Sequence, residues 1–261
     1  MSQGILLVGH GTRDAAGQAE FLSVAAQLAA LLPGTPVEPG FLELARPTIA
    51  TAVQQLFERG ASRLTVVPLL LFSAGHAQQD IPAAVQAATV GRAEVTIEQT
   101  EPLGCEAALV RLSALRYRET LAALPPLSDT ETFLLLVGRG SHDAQAGAEM
   151  ARFARLRWEE TRTGWCLPCF AAMTEPTLAA GLQLAARSGL RRIVVQPHLL
   201  FQGQLAARIT AEAQAFGQQN PHLELITVPH LGPHPLLVEA LRGKAEGGRR
   251  KAEGGRRKNE A

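Results

Sequence analysis

The chain alternates two kinds of segment. ILLVG at 5–9 is a short unbroken apolar run, the mark of a buried strand. AGQAEFLSVAAQLAALL follows, with apolar residues at helical spacing. VEPGFLEL reads as a second strand. PTIATAVQQLFERG reads as a helix, with Pro47 expected in its first turn and Gly60 after its end. LTVVPLLLF predicts a third strand. A helix is expected from about Asp80, with Ile81, Val85 and Ala88 on one face. VTIEQTEPLG predicts a fourth strand and a turn, and a final helix follows. Strand and helix in strict alternation predict βαβ units, hence a parallel sheet with helices on both faces.

The pattern then starts again. LLVGHGTRD (6–14) returns as LLVGRGSHD (135–143), with six of nine letters kept. At the same offset of 129, FLELARPTIATAV (41–53) lines up with FAAMTEPTLAAGL (170–182). VVPLLLFSAGH (66–76) matches VVQPHLLFQGQ (194–204) across a small gap, and EPLGCEAALVRL (101–112) matches PHLGPHPLLVEAL (229–241). The expected architecture is α/β: two tandem similar domains, each a parallel sheet of about four strands flanked by helices, with a cleft between them. The expected bounds are 1–125 and 126–242, joined through PPLSD (125–129), a proline-rich turn segment.

Charge sharpens this division. Residues 243–261 hold seven Lys/Arg and three Asp/Glu, a net +4, so the other residues carry −3 of the chain's +1. The globular part is mildly acidic and has no broad basic face for nucleic acid. The tail, GKAEGGRRKAEGGRRKNEA, has no aliphatic residue larger than alanine and is expected to be disordered. No apolar run approaches the ~18 residues of a membrane span. No basic region precedes the first apolar run as in a signal peptide. Three cysteines, Cys105, Cys166 and Cys169, are too few for a disulfide framework in 261 residues. A cytoplasmic, reducing location is expected.

Parallel α/β sheets place ligands beyond the carboxyl ends of their strands. In the first repeat those loops carry His10, Glu43 and His76. In the second, Arg139, Ala172 and Gln204 stand at the matching positions. Two imidazoles and a carboxylate can hold a divalent first-row metal with coordination positions left open, or do acid–base chemistry. An ordinary polar cluster at strand ends is the plain alternative, and the spacing has no compact motif such as HExxH. The joint loss of all three residues in a retained fold favours chemistry.

GHGTRD after the first strand, GFLELARPTI at the second and PLLLFSAGHAQQDIP after the third resemble the sirohydrochlorin chelatases, the small class II chelatases. FAAMTEPTL and PHLLFQGQLAARI are similar to the C-terminal repeat of the two-repeat members, and the resemblance spans roughly residues 4–242. It implies a lyase that inserts a divalent metal into sirohydrochlorin. His10 and His76 are implied as metal-binding and catalytic residues, with Glu43 as helper. Fe²⁺, giving sirohaem, is the first choice of metal and Co²⁺, on the cobalamin branch, the runner-up. Nickel is a weaker choice. No cofactor beyond that substrate metal is expected. The tetrapyrrole substrate carries eight carboxylates. Arg13, Arg46, Arg139, His142 and Arg208, in or beside the matching loops, are candidates to pair with them. A monomer is expected, since both repeats lie in one chain.

Two other classes compete. A metal or tetrapyrrole carrier would use the same His10 and His76 without turnover. A redox protein would use WCLPC (165–169), which resembles the WCxPC of thioredoxins. The repeat alignment sets WCLPC against PVEPG, leading into a strand, so helix-dipole activation of Cys166 is not expected. Cys105 reads as structural. His198 replaces Leu69 on the third strand and is expected to be a partly buried core histidine. His222, His230 and His234 lie near proline-containing turns.

Overall fold

The computed structural model of the chain describes residues 2–72, 79–92 and 94–259, with 248–259 described by backbone alone. His76 lies outside the described residues. The elements are β1 (Ser2–Gly9), α1 (Ala15–Leu31), β2 (Val37–Phe41), α2 (Ile49–Glu58), β3 (Ala61–Pro68), α3 (Ile81–Ala88), β4 (Thr96–Gln99) and α4 (Ala107–Leu121). The second repeat gives β5 (Thr132–Gly138), α5 (Ala144–Thr161), β6 (Trp165–Phe170), α6 (Leu178–Arg187), β7 (Arg192–Pro197), α7 (Gln204–Gln219), β8 (Glu224–Thr227) and α8 (Pro235–Asn259). The strands form two four-stranded sheets, β2-β1-β3-β4 and β6-β5-β7-β8. Every pairing is parallel, as the alternating pattern requires.

Each central strand is buried on both faces, which is why its sequence is a continuous apolar run. Leu6 and Val8 of β1 pack with Ile49, Val53 and Leu56 of α2 and Ile81 and Val85 of α3. The pleat turns Ile5 and Leu7, both buried, to the opposite face. In the second sheet, Phe133, Leu135 and Val137 pack with Leu178 and Leu182 of α6 and Ile209 and Ala213 of α7. Each such side chain contributes on the order of 1.5–3 kcal/mol by leaving water.

The packing does not follow the order of the repeats. One compact unit comprises Met1–Gly104 with Pro233–Ala261, and the other Cys105–Gly232. The last helix of each repeat therefore belongs to the other repeat's sheet. In the first unit α8 packs on α1 and β3, and in the second α4 packs on α5. PPLSD separates the repeats in sequence, but the division in space falls ahead of α4, at Gly104–Cys105.

Several local expectations are adjusted. α2 starts after Pro47, with Thr48 as its cap: Thr48 Oγ1 accepts from Thr51 N at 3.2 Å. β2 ends at Phe41, so Glu43 sits in a bend beyond the strand. The basic tail, expected to lack structure from residue 243, continues α8 as helix through Asn259. Ala245, only 2% exposed, ties the start of that stretch to the first unit. Its Ala, Lys, Arg and Glu residues are good helix formers, and an anchored first turn lets them propagate despite the glycines. Among the described residues, no helix is long and apolar enough to cross a membrane.

Candidate active site

The first site loop is shaped by two glycines that admit neighbours a side chain would exclude. A Cβ on Gly9 would come 2.7 Å from the Phe21 ring of α1. Phe21 in turn packs on Phe41 at the end of β2, ring centroids 4.4 Å apart. Gly11 is left-handed (φ 102°), and a Cβ there would lie 1.8 Å from the carbonyl oxygen of Glu43. The loops after β1 and β2 thus touch backbone to backbone. Their ladder extends past the strands: Leu42 N donates to Gly9 O at 2.9 Å and Glu43 N to His10 O at 3.0 Å.

That register sets Glu43 beside His10. Glu43 Oε1 stands 3.3 Å from His10 Nε2, with the histidine side chain 23% exposed and the carboxylate 51%. His10 Nδ1 lies 3.3 Å from the carbonyl of Gly11. A neutral ring has a single N–H, so when Nδ1 donates to the Gly11 carbonyl, Nε2 keeps its lone pair beside the Glu43 carboxylate, with the ring edge open to solvent. Thr12 and Asp14 close the loop onto α1. Thr12 Oγ1 accepts from Asp14 N at 3.1 Å, and Asp14 Oδ1 caps the helix by accepting from Gly17 N at 3.0 Å.

The second repeat builds the same frame with other side chains. Ala171 N donates to Gly138 O at 2.9 Å and Ala172 N to Arg139 O at 3.0 Å. Gly140 (φ 92°) would set a Cβ 1.8 Å from Ala172 O. Ser141 and Thr174 exchange two bonds, Ser141 N to Thr174 Oγ1 at 3.1 Å and Thr174 Oγ1 to Ser141 O at 2.6 Å. Arg139 and His142 are exposed on this loop. Arg208, on α7, reaches it by donating from Nη2 to Ala171 O. Arg13 and Arg46 are exposed on the loops of the first unit. Within each unit, then, the described candidate residues gather at the carboxyl edge of the sheet. His10 and Glu43 are brought into direct contact. Among the described residues, no group of three or more His, Cys, Asp or Glu side chains is placed to hold a metal.

WCLPC does not form a dithiol centre. It lies along β6, where Cys166 and Cys169 are an odd number of residues apart and so face opposite sides of the sheet. Cys166 packs with Leu134 and Val194, and Cys169 with Leu182 and Val195. Burial pushes both thiols up to about 12, away from the thiolate needed for exchange. Cys105, just before α4, is raised to about 11 by burial and by Glu149, to which its Sγ points at 3.6 Å. His198 is 1% exposed and lies against the Phe153 ring at 4.0 Å. Burial holds it near 3, so it is neutral in the folded protein. His234 caps α8, its Nδ1 accepting from Leu236 N at 3.1 Å.

Sequence reasoning passed over Gly11 and Gly140. The signal available was their recurrence at one register, which a left-handed close approach explains.

The fold and the loop sequences define the class. The family model CbiX matches the chain twice, over residues 4–120 and 133–246, and the chain belongs to this family. Among curated proteins, it is 29% identical over 247 residues to the sirohydrochlorin cobaltochelatase of Priestia megaterium, covering 94% of this chain and 79% of that one. It is 31% identical over 237 residues to the sirohydrochlorin ferrochelatase of the same organism, covering 91% and 87%. Among solved structures, SirB from Bacillus subtilis with Fe³⁺ superposes with a TM-score of 0.85 at 28% identity, covering 97% of this chain and 98% of that one. A cobalt complex of the sirohydrochlorin chelatase SirB from subspecies spizizenii gives a TM-score of 0.83 over the same shares.

Proposed function

We propose that this chain is a sirohydrochlorin chelatase that inserts Fe²⁺ into the free-base tetrapyrrole, with Co²⁺ as the alternative ion. The observation that carries the reading is the His10–Glu43 pair at 3.3 Å, set at the carboxyl edge of a parallel sheet in a chain of this family. Curated relatives of similar identity act on each of the two metals by name, so the family resemblance supports both ions.

The reaction exchanges one divalent ion for two pyrrole N–H protons. A neutral imidazole is a fitting donor, because it can hold the ion and release it to four ring nitrogens. His10 is proposed to present the metal and, once the ion has left, to accept one of the displaced protons. Glu43 orients the ring, offsets part of the metal's charge and passes the proton to solvent, a role its 51% exposure suits. His76 is proposed as the second imidazole, which accepts the other displaced proton and yields it to solvent. Arg13, Arg46, Arg139, His142 and Arg208 are proposed to pair with substrate carboxylates. The protein is proposed to work as a monomer in the cytoplasm, with no cofactor beyond the metal it transfers.

The test is anaerobic absorbance spectroscopy with sirohydrochlorin and either Fe²⁺ or Co²⁺. Wild type should turn over many times, faster with Fe²⁺. His10→Ala and His76→Ala should each lose at least a hundredfold in rate, and Glu43→Gln about tenfold. Tight tetrapyrrole binding with no acceleration over the protein-free rate would instead identify a carrier.

A further inference from the structure

Two backbone outliers fall at one register of the two repeats. Among the described residues, three non-glycine residues have positive φ: Leu44 (61°), Arg162 (50°) and Met173 (62°). Arg162 is the C-cap of α5, an ordinary left-handed position. Leu44 and Met173 cap no helix. They stand 129 residues apart and occupy the same place in the bend after β2 and after β6. A residue with a Cβ adopts this conformation at a cost, so Gly or Asn usually fills it.

Their side chains do not repay that cost by burial. Leu44 is 48% exposed and Met173 is 49% exposed. Nor does the bend depend on them, because main-chain bonds hold it. Phe41 N donates to Pro47 O at 2.8 Å, and Phe170 N to Pro176 O at 2.9 Å. Thr174 N donates to Ala172 O at 2.8 Å, directly across Met173. A glycine would meet the same backbone demand.

What the repeats keep and what they exchange is informative. His10 and Glu43 become Arg139 and Ala172, so the metal pair is not shared. A large, unbranched-at-Cβ apolar side chain in a left-handed bend is shared. Its purpose therefore lies apart from the metal ion, with a ligand that a loop of this kind meets at the edge of its own sheet. On the chelatase reading, on which this inference rests, that is the tetrapyrrole, whose ring faces are flat and apolar within a rim of carboxylates.

We propose that Leu44 and Met173 are substrate-positioning residues, each offering apolar surface to the ring face of the tetrapyrrole at its own loop. The strained bend holds the side chain outward before the substrate arrives, so little ordering is left to do on binding. Leu44 directly follows Glu43, so a ring resting on it lies beside the His10–Glu43 pair. Met173, long and polarisable, adapts to a macrocycle edge near Arg139.

Glycine makes the test sharp, because it favours this backbone and removes only the side chain. In Leu44→Gly the melting temperature should stay at or above that of wild type. The Kd for metal-free sirohydrochlorin, from absorbance titration, should rise about tenfold, with KM rising alongside it. Co²⁺ binding should be unchanged. Leu44→Met should keep the wild-type Kd within about twofold, and Met173→Gly should weaken binding severalfold. A wild-type Kd in Leu44→Gly would overturn the proposal. A lowered melting temperature in Leu44→Gly would also overturn it, by showing that the side chain serves the loop itself. Wild-type protein that binds sirohydrochlorin without metallating it would sink the chelatase reading and leave this one standing. Wild-type protein that fails to bind it would sink both.

Discussion

At the end of β1 the chain presents His10 against Glu43, and at the end of β5 it presents Arg139 over Ala172. The main chain beneath is the same in both places, down to a left-handed glycine whose Cα faces a carbonyl. An imidazole–carboxylate pair and a cationic loop thus come from one backbone design. The two loops differ in their side chains, while the frame beneath them keeps the same close approach of backbone to backbone.

The interiors differ as well. Arg157 of α5 is fully buried in the second unit, and its guanidinium donates to three neutral side-chain oxygens. Its Nε donates to Ser113 Oγ at 3.1 Å, Nη1 to Thr161 Oγ1 at 2.7 Å and Nη2 to Gln196 Oε1 at 3.4 Å. The guanidinium also sits 5.1 Å from the centre of the Tyr117 ring. Burial lowers it to about 10, so it stays charged near neutrality. Gln196 Nε2 donates onward to Ser113 O at 2.7 Å, tying α4 to the sheet. The matching residues of the first unit are Leu28, Val67, Leu241 and Ala245, all buried and apolar. Each exchanged helix therefore suits the sheet it covers. α8 brings Leu241 and Ala245 to an apolar site, and α4 brings Ser113 and Tyr117 to a buried cation. The opposite pairing would set Arg157 against Leu241, an uncompensated charge costing about 3–5 kcal/mol.

The shared frame breaks most severely at its glycines. Gly11→Ala and Gly140→Ala both drive a Cβ into a backbone carbonyl at 1.8 Å with positive φ, and each should cost about 3–5 kcal/mol in urea unfolding. Gly34→Ala, also at positive φ but with open space around it, should cost only about 1 kcal/mol. Equal losses at 34 and 11 would refute the close-approach account.

The interior contrast should yield a somewhat smaller effect. Arg157→Met leaves Ser113, Thr161 and Gln196 without their donor and should destabilise by about 2–4 kcal/mol. Leu28→Met, the same product at the matching apolar position, should cost under about 1.5 kcal/mol. A double variant, Arg157→Met with Gln196→Val, should recover part of the loss, since both sides then become apolar. No recovery would argue against a matched polar site.

The smallest effect is a dependence on pH. His198 is held near 3 in the fold, against about 6.5 in the unfolded chain. Its folded value is depressed, so its contribution is whole above about 6.5 and is lost as pH falls from there toward 3. Wild type should lose more stability between pH 7 and pH 5 than His198→Leu, which restores the residue found at position 69. Parallel losses in the two proteins, measured as urea midpoints, would remove His198 from the account.

Much of this was legible in the chain. Alternating apolar runs and amphipathic stretches, written twice, gave the two four-stranded parallel sheets, because the strand and helix periods are local properties. The rule that ligands meet the strand ends put His10 and Glu43 in neighbouring loops. Their 3.3 Å contact was not legible, since it depends on the ladder running two residues beyond β2. Leu44 was passed over for a related reason: an ordinary leucine carries no mark of a left-handed backbone.

What the sequence determined by itself was the repeat, the order of elements and the residue types at each strand end. Only the tertiary structure decided which sheet each final helix covers. α4 and α8 follow matching Leu-Gly turns, with Leu103 N bonded to Leu70 O and Leu231 N to Leu199 O, so nothing local tells them apart. The choice rests on what lies across the interface, an apolar site or a buried guanidinium, and such complementarity exists only once distant segments have met.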